Sequence, residues 1–222
     1  MNENQIKACI NLLSEVQELT LGPDWHKQDN DYAFAAISEC IELSNDIQWE
    51  WWKKKKVNES NKAIELVDIM HFCFAGSLKA YYAMGISHDE AVNVIVRNYM
   101  GLPTPLILLN HGNRHIYNIK HFMYFLILDR VDYAMLKVIC HDHVDSEDYL
   151  YEIFIRKAVL NKFRQLNGYK TGKYVKLWYD GAEDNVYASQ IHIDLDKPLS
   201  IFLEDIAKVY TELTGNPAIT SR

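Results

Sequence analysis

The chain has 222 residues, 49% of them hydrophobic and 24% charged, which gives enough apolar surface to bury a core and excludes intrinsic disorder. Its 23 Lys and Arg against 30 Asp and Glu leave a formal net charge of −7, which argues against a nucleic-acid coat or an anionic-membrane binder while allowing a local basic patch. No window holds the ~18 apolar residues of a membrane span, no secretory leader is visible, and Cys9, Cys40, Cys73 and Cys140 form no CxxC pair, so a soluble protein of the reducing cytoplasm is expected.

Gly and Pro are scarce, nine and five, and fall mostly between stretches of helical periodicity, which predicts an all-α fold, a helical bundle. A first helix is expected from about Gln5 to Leu19, with Ile6, Ile10, Leu13 and Val16 on one face and GPDW ending it. Asp31 is placed to cap a second, from about Tyr32 to Asn45. The link WEWWKKKKVNES leads to a long helix from about Asn61 to Met84, closed by Gly85, and Ser87 with Glu90 opens another to about Tyr99. After the break at Leu102 to Pro105, the stretch from Leu106 to Val138 holds two more, with a turn among Asn110, Gly112 and Asn113 at either end. A helix from about Ser146 to Leu166 carries acidic residues in its first turn and is stopped by Gly168. The segment GYKTGKYVKLWYDGAEDN reads as a loop with a short extended piece, and a last helix runs from about Ser200 to Leu213, ending at Gly215. A single domain spanning 1–222, with about 100–145 as an inserted helical subdomain, is the expected organisation. Within it FMYFLIL, Phe122 to Leu128, reads as core or a subunit contact.

Two carboxylate pairs stand out. Glu39 and Glu42 are three apart on the second helix, as are Glu65 and Asp68 on the long one, so each pair projects from one face. Their neighbours are apolar, and anions set in such runs repel unless a cation balances them. Four oxygen ligands on two helices suit Mg²⁺ or Mn²⁺. The plainer reading of a single ExxE is a solvated helix face; two pairs in apolar helices favour the metal. A rival reading joins Asp68 to His71 as in ferritin-like di-iron bundles, which need two such motifs where one is present. His111 with His115 and His141 with His143 have metal-like spacings but no assignable ligand partner, and read as surface or core histidines. Cys40 and Cys73 read as small core residues.

The segment from Lys157 to Asn185 supplies what a triphosphate needs. Lys157, Asn161, Arg164 and Gln165 follow helical spacing, and Lys170, Lys173, Tyr174 and Lys176 follow in the loop, giving dense donors in an otherwise acidic chain. Beside an oxygen-ligated metal site that favours phosphoryl chemistry. Of these, Lys173 reads as solvated.

The ordered motifs ECIELSNDIQWEWWKK, ELVDIMHF and NKFRQLNGYKTGKYVKLW with a following EDN resemble those of the dimeric dUTPases of the all-α nucleoside triphosphate pyrophosphohydrolase superfamily, over about two thirds of the chain. The resemblance implies a homodimer that hydrolyses dUTP, and dUDP, to dUMP, removing dUTP from the nucleotide pool. It implies Mg²⁺ held by Glu39, Glu42, Glu65 and Asp68, with Glu42 orienting or deprotonating the attacking water. Lys157, Arg164, Lys170, Tyr174 and Lys176 then become candidates for the phosphates and Asn161 for the deoxyribose. Gln17, Trp49 and Trp52 are candidates for the base pocket. The base-contacting residues are only loosely recognisable in LSEVQELTLGPDW, so a broader dCTP/dUTP pyrophosphatase is the alternative. A non-catalytic helical binding protein with structural acidic clusters is the reading from another class.

Overall fold

The computed structural model describes residues 1–54, 57–101 and 114–221. They form α1 (Glu3–Leu21), α2 (Tyr32–Asp46), α3 (Glu59–Ala83), α4 (His88–Gly101), α5 (Arg114–Ile127), α6 (Tyr133–His143), α7 (Glu147–Leu166), α8 (Asp184–Gln190) and α9 (Leu199–Thr214). Short 3-10 turns lie at Trp25–Lys27 and Tyr169–Thr171. Among the described residues there is no strand, only an antiparallel bridge between Leu177 and Glu183, so the fold is all-α as the periodicity predicts.

The caps are those the sequence offers. The Asp31 side chain accepts from the Phe34 amide at 2.8 Å, and the Ser87 and Ser146 hydroxyls accept from the Glu90 and Tyr149 amides. Gly85, Gly168 and Gly215 end their helices in the left-handed region. Three elements depart from expectation. The division after α5 comes at Leu128 to Asp132, where Asp132 caps α6 by accepting from the Met135 amide at 3.0 Å, and α6 runs on to His143 instead of ending near Val138. A 3-10 turn occupies the end of the GPDW segment, where Trp25 is fully buried. A short helix, Asp184–Gln190, begins on the last two residues of the stretch expected to be loop. The expected break at Leu102 to Pro105 and the turn among Asn110, Gly112 and Asn113 lie outside the described residues, as do Lys55 and Lys56.

The chain divides into two compact units, Met1–Leu13 with His26–Ile153, and Ser14–Trp25 with Phe154–Arg222. The described part of 100–145 belongs to the first. In that unit α2 lies along α3, α5 packs on α2 and α6, and α4 packs on α3 and α6. Toward α3, α2 presents the fully buried Ala36, Cys40 and Leu43, and α3 carries the buried Ile69 and Cys73 on the side of Glu65 and Gly76, each large side chain contributing roughly 2 kcal/mol. The helices approach closely because Gly76 faces Tyr32: a Cβ added there would stand 3.1 Å from the Tyr32 Cβ. Phe74, Tyr99 and Tyr133 tie α3, α4 and α6 together with ring centres 6.1 to 6.3 Å apart, and Tyr133 shares a 2.7 Å hydrogen bond with Ser77. FMYFLIL divides as its pattern suggests: Phe122 and Leu126 are buried, while Tyr124, Ile127 and Leu128 are exposed.

The second unit is centred on aromatic residues of α7, the basic segment and α9. Tyr174 stacks on Tyr210 at 5.2 Å, Phe163 meets both edge-on, and Trp178 lies against Tyr210 at 5.6 Å. Gly168 is required where α7 gives way to this segment. Its φ is +85°, and a Cβ there would fall 2.9 Å from the Thr171 hydroxyl.

Candidate metal centre and basic segment

The seam between α2 and α3 sets carboxylates of both helices face to face. Glu39 and Glu42 project from α2 and Glu65 from α3, and one carboxylate oxygen of each lies within 4.8 Å of the others. Glu65 is 7% exposed, Glu39 is half-buried and Glu42 is open to solvent. Asp68 stands outside this trio yet near enough for its charge to act on Glu39 and Glu65, and its Oδ1 is 3.6 Å from Nδ1 of buried His71. Burial first, then the charges of Asp68, Glu42 and Glu65, push the Glu39 carboxyl up to about 8, and Glu39 donates a hydrogen bond to Glu65. Burial and Asp68 raise Glu65 as well, against the bond it accepts from Asn61. Among the described residues no Lys or Arg pairs with the trio. Such a donor set could hold a divalent cation, and oxygen ligands of this kind fit a hard ion.

Asn61 is a supporting residue that the motif reading misses. Its Nδ2 donates to Glu65 Oε1 at 2.6 Å and to Asp46 Oδ2 at the end of α2, fixing Glu65 to the helix opposite. Its position one turn before Glu65, on the same face, is the signal for it. Asn61→Ala is expected to weaken divalent-ion affinity by about 10- to 100-fold, measured by calorimetric titration with Mg²⁺. Unchanged affinity would remove Asn61 from this role.

The raised carboxyls also set a pH dependence. A group whose folded pKa lies above its ordinary 4.5 contributes stability fully below that pH and loses it as pH rises through about 8. Metal-free protein is therefore expected to lose about 2 kcal/mol between these limits, after discounting for partial exposure, or roughly 4 to 8 °C in Tm. Saturating Mg²⁺ should flatten the profile in a thermal-shift series.

In the second unit the centre is Asp184, which is fully buried. Arg164 donates to it twice, from Nε and Nη2, both at 2.7 Å, and the Tyr174 hydroxyl donates at 2.8 Å. Arg164 Nη1 donates to Asn161 Oδ1 at 2.9 Å. Arg164 and Tyr174, expected at the phosphates, thus commit three of the five guanidinium N–H groups and the phenol O–H to Asp184 and Asn161, which leaves one N–H on each Nη of Arg164. Burial and then the Asp184 charge hold the Tyr174 hydroxyl well above its ordinary range. The lysines differ: Lys170 and Lys173 are exposed, Lys157 is half-buried, and Lys176 pairs with Glu183 at 2.9 Å, a solvent-accessible pair that a ligand can displace at small cost. Asp184 is the residue here whose role the sequence hides: it lies in the EDN of the motif, and nothing in its local spacing shows that it is buried.

Of the base-pocket candidates, Gln17 is half-buried in the second unit, while Trp49 and Trp52 lie in the first with ring centres 5.5 Å apart. The Trp49 indole N–H is buried with no hydrogen-bond partner, and Trp52 is 53% exposed. The thiols of Cys40 and Cys73 are buried, and burial pushes Cys40 up to about 12, which leaves packing as their role.

A dUTPase family model matches residues 5–169 of the chain. The chain belongs to the dUTPase family. No curated protein sequence matches it. The matched range holds the carboxylate trio, Asp68 and α7, and stops just before Lys170. As a dUTPase it is a nucleoside triphosphate pyrophosphohydrolase that acts on dUTP, and the non-catalytic reading falls. Among the described residues no helix is long and apolar enough to cross a membrane.

Proposed function

We propose that this dUTPase is a Mg²⁺-dependent dUTP diphosphatase whose metal is held by Glu39, Glu42, Glu65 and Asp68. The observation that carries it is the trio of carboxylate oxygens within 4.8 Å of one another. When bound, the ion neutralises phosphate charge and makes a water more acidic. Glu42, the exposed member, receives the proton of the attacking water at its carboxylate, while Glu39 and Glu65, more buried, keep the geometry of the site. Mn²⁺ would satisfy the same oxygen ligands.

Lys157, Lys170 and Lys176 take the phosphates, and Asn161 takes the deoxyribose. Arg164 and Tyr174 act through Asp184 to hold that segment in shape. Trp49 is favoured for the base, since its unpartnered N–H can donate to a pyrimidine carbonyl, and Trp52 and Gln17 are further candidates for this role. Hydrolysis of dUDP, a homodimeric state and a cytoplasmic location complete the reading. The exposed Phe34 and Ile41 of α2, seven residues apart, and Tyr124, Ile127 and Leu128 of the FMYFLIL run support a second copy as partner.

The test is pyrophosphate release from dUTP, dCTP, dTTP and UTP, with Mg²⁺ and with EDTA, beside Glu42→Gln. Metal-dependent release from dUTP that Glu42→Gln abolishes is expected. Equal turnover of dCTP would move the assignment to a broader pyrimidine pyrophosphatase, and turnover undiminished in EDTA would remove the metal from it.

A further inference from the structure

The first unit holds a second set of metal-type ligands, made of residues other than the trio. His115 Nδ1 on α5 is buried with no hydrogen-bond partner and lies 3.6 Å from Asp142 Oδ2 on α6. That is too long for a hydrogen bond. It is close to the roughly 3.4 Å that separates two ligands sharing one tetrahedral zinc at about 2.0–2.1 Å. His143, the next residue of α6, also has a buried and unpartnered nitrogen, Nε2, and its ring centre is 5.1 Å from that of His115. Two imidazoles bound through nitrogen to one tetrahedral ion have ring centres about 5 Å apart. Asn118, buried between them in sequence, donates to Asp142 Oδ2 at 2.6 Å, the outer bond that characteristically orients a metal-ligating carboxylate. Burial, then His115 and Lys62, push His143 down to about 4, so its ring offers a lone pair near neutral pH.

We propose that His115, Asp142 and His143 form a site for a zinc-class divalent ion that joins α5 to α6. Two imidazole nitrogens and one carboxylate are softer donors than the all-oxygen set on α2 and α3, so they select Zn²⁺ over Mg²⁺. The three are not drawn in to the mutual spacing of the carboxylate trio; His115 Nδ1 already stands near Asp142, and ligation requires the His143 ring to turn toward them.

The experiment dialyses untagged protein against trace Zn²⁺ in the presence of a large excess of Mg²⁺, which fills the carboxylate site, and counts zinc per chain by plasma mass spectrometry. About one zinc per chain is expected in the parent and in Glu42→Gln, and none in His115→Ala or His143→Ala. Co²⁺ in place of Zn²⁺ should give the strong visible absorption of four-coordinate N/O ligation, lost in the same two variants. His115→Ala should keep the parental circular dichroism and dUTP turnover, so it carries the test if His143→Ala fails to fold. Absence of zinc from the parent overturns the proposal, as does equal zinc in both histidine variants or its loss in Glu42→Gln.

Discussion

Glu65→Gln is expected to lower Mg²⁺-dependent turnover of dUTP by about a thousandfold, some 4 kcal/mol of barrier, while leaving the metal-free protein as stable as its parent or more so. The two effects have opposite signs because the same charge acts in both. At 7% exposure Glu65 faces Glu39 and Glu42 from the opposite helix, and in the absence of a cation its charge opposes folding through burial and repulsion by Asp68 and Glu42, joined by Glu39 as pH rises through about 8. A glutamine keeps the volume and can still meet Asn61, but removes the negative charge that a divalent ion requires. Steady-state pyrophosphate release and a melting curve in EDTA measure the pair. Turnover within about tenfold of the parent at saturating Mg²⁺ would show that the ion does not depend on Glu65.

Asp184→Ala is expected to cost about 3 to 5 kcal/mol of stability, roughly 10 °C in Tm, the largest such loss for any single substitution outside the apolar core. Asp184 is fully buried and accepts four hydrogen bonds, three of them from the Arg164 and Tyr174 side chains and one from the Asn185 amide, so its removal strands the guanidinium of buried Arg164 without a counter-charge. Asp184→Asn should lose less, since one oxygen can still accept from Arg164. Chemical denaturation followed by tryptophan fluorescence reads this locally, because Trp178 lies in the same cluster. A loss below about 1 kcal/mol for the alanine variant would contradict the assignment of Asp184 as the centre of the segment.

The long helices and their ends are legible because local chemistry fixes them. Asp31, Ser87 and Ser146 each place an oxygen three residues ahead of an amide that lacks an intrahelical partner, and Gly85, Gly168 and Gly215 supply backbone angles that other residues resist. The carboxylate trio is legible for the same reason, since spacing by three places Glu39 and Glu42 on one face. What escapes the sequence is set by tertiary partners. The short helix Asp184–Gln190 has too few residues for a periodic signal and is held by the bonds of Asp184 to α7. The donors of Arg164 and Tyr174 look free in a basic run, and only the fold reveals the buried acid to which they bond. Asp132, by contrast, was readable as a cap ahead of Tyr133, but the apolar richness around it masks the turn.

The basic segment interleaves two kinds of side chain. Phe163, Arg164, Tyr174 and Trp178 point into the second unit and are buried, while Lys170 and Lys173 stand in water and Lys176 is only partly covered. Mutational damage in this stretch should therefore separate along two axes. In a library scored at once for cellular abundance and for dUTP hydrolysis, changes at the aromatic and arginine positions would deplete the protein itself. Changes at Lys170 and Lys176 would leave abundance intact and alter only the catalytic yield per molecule, and changes at Lys173 would alter neither, so a single run of residues would encode durability and affinity as independently adjustable traits.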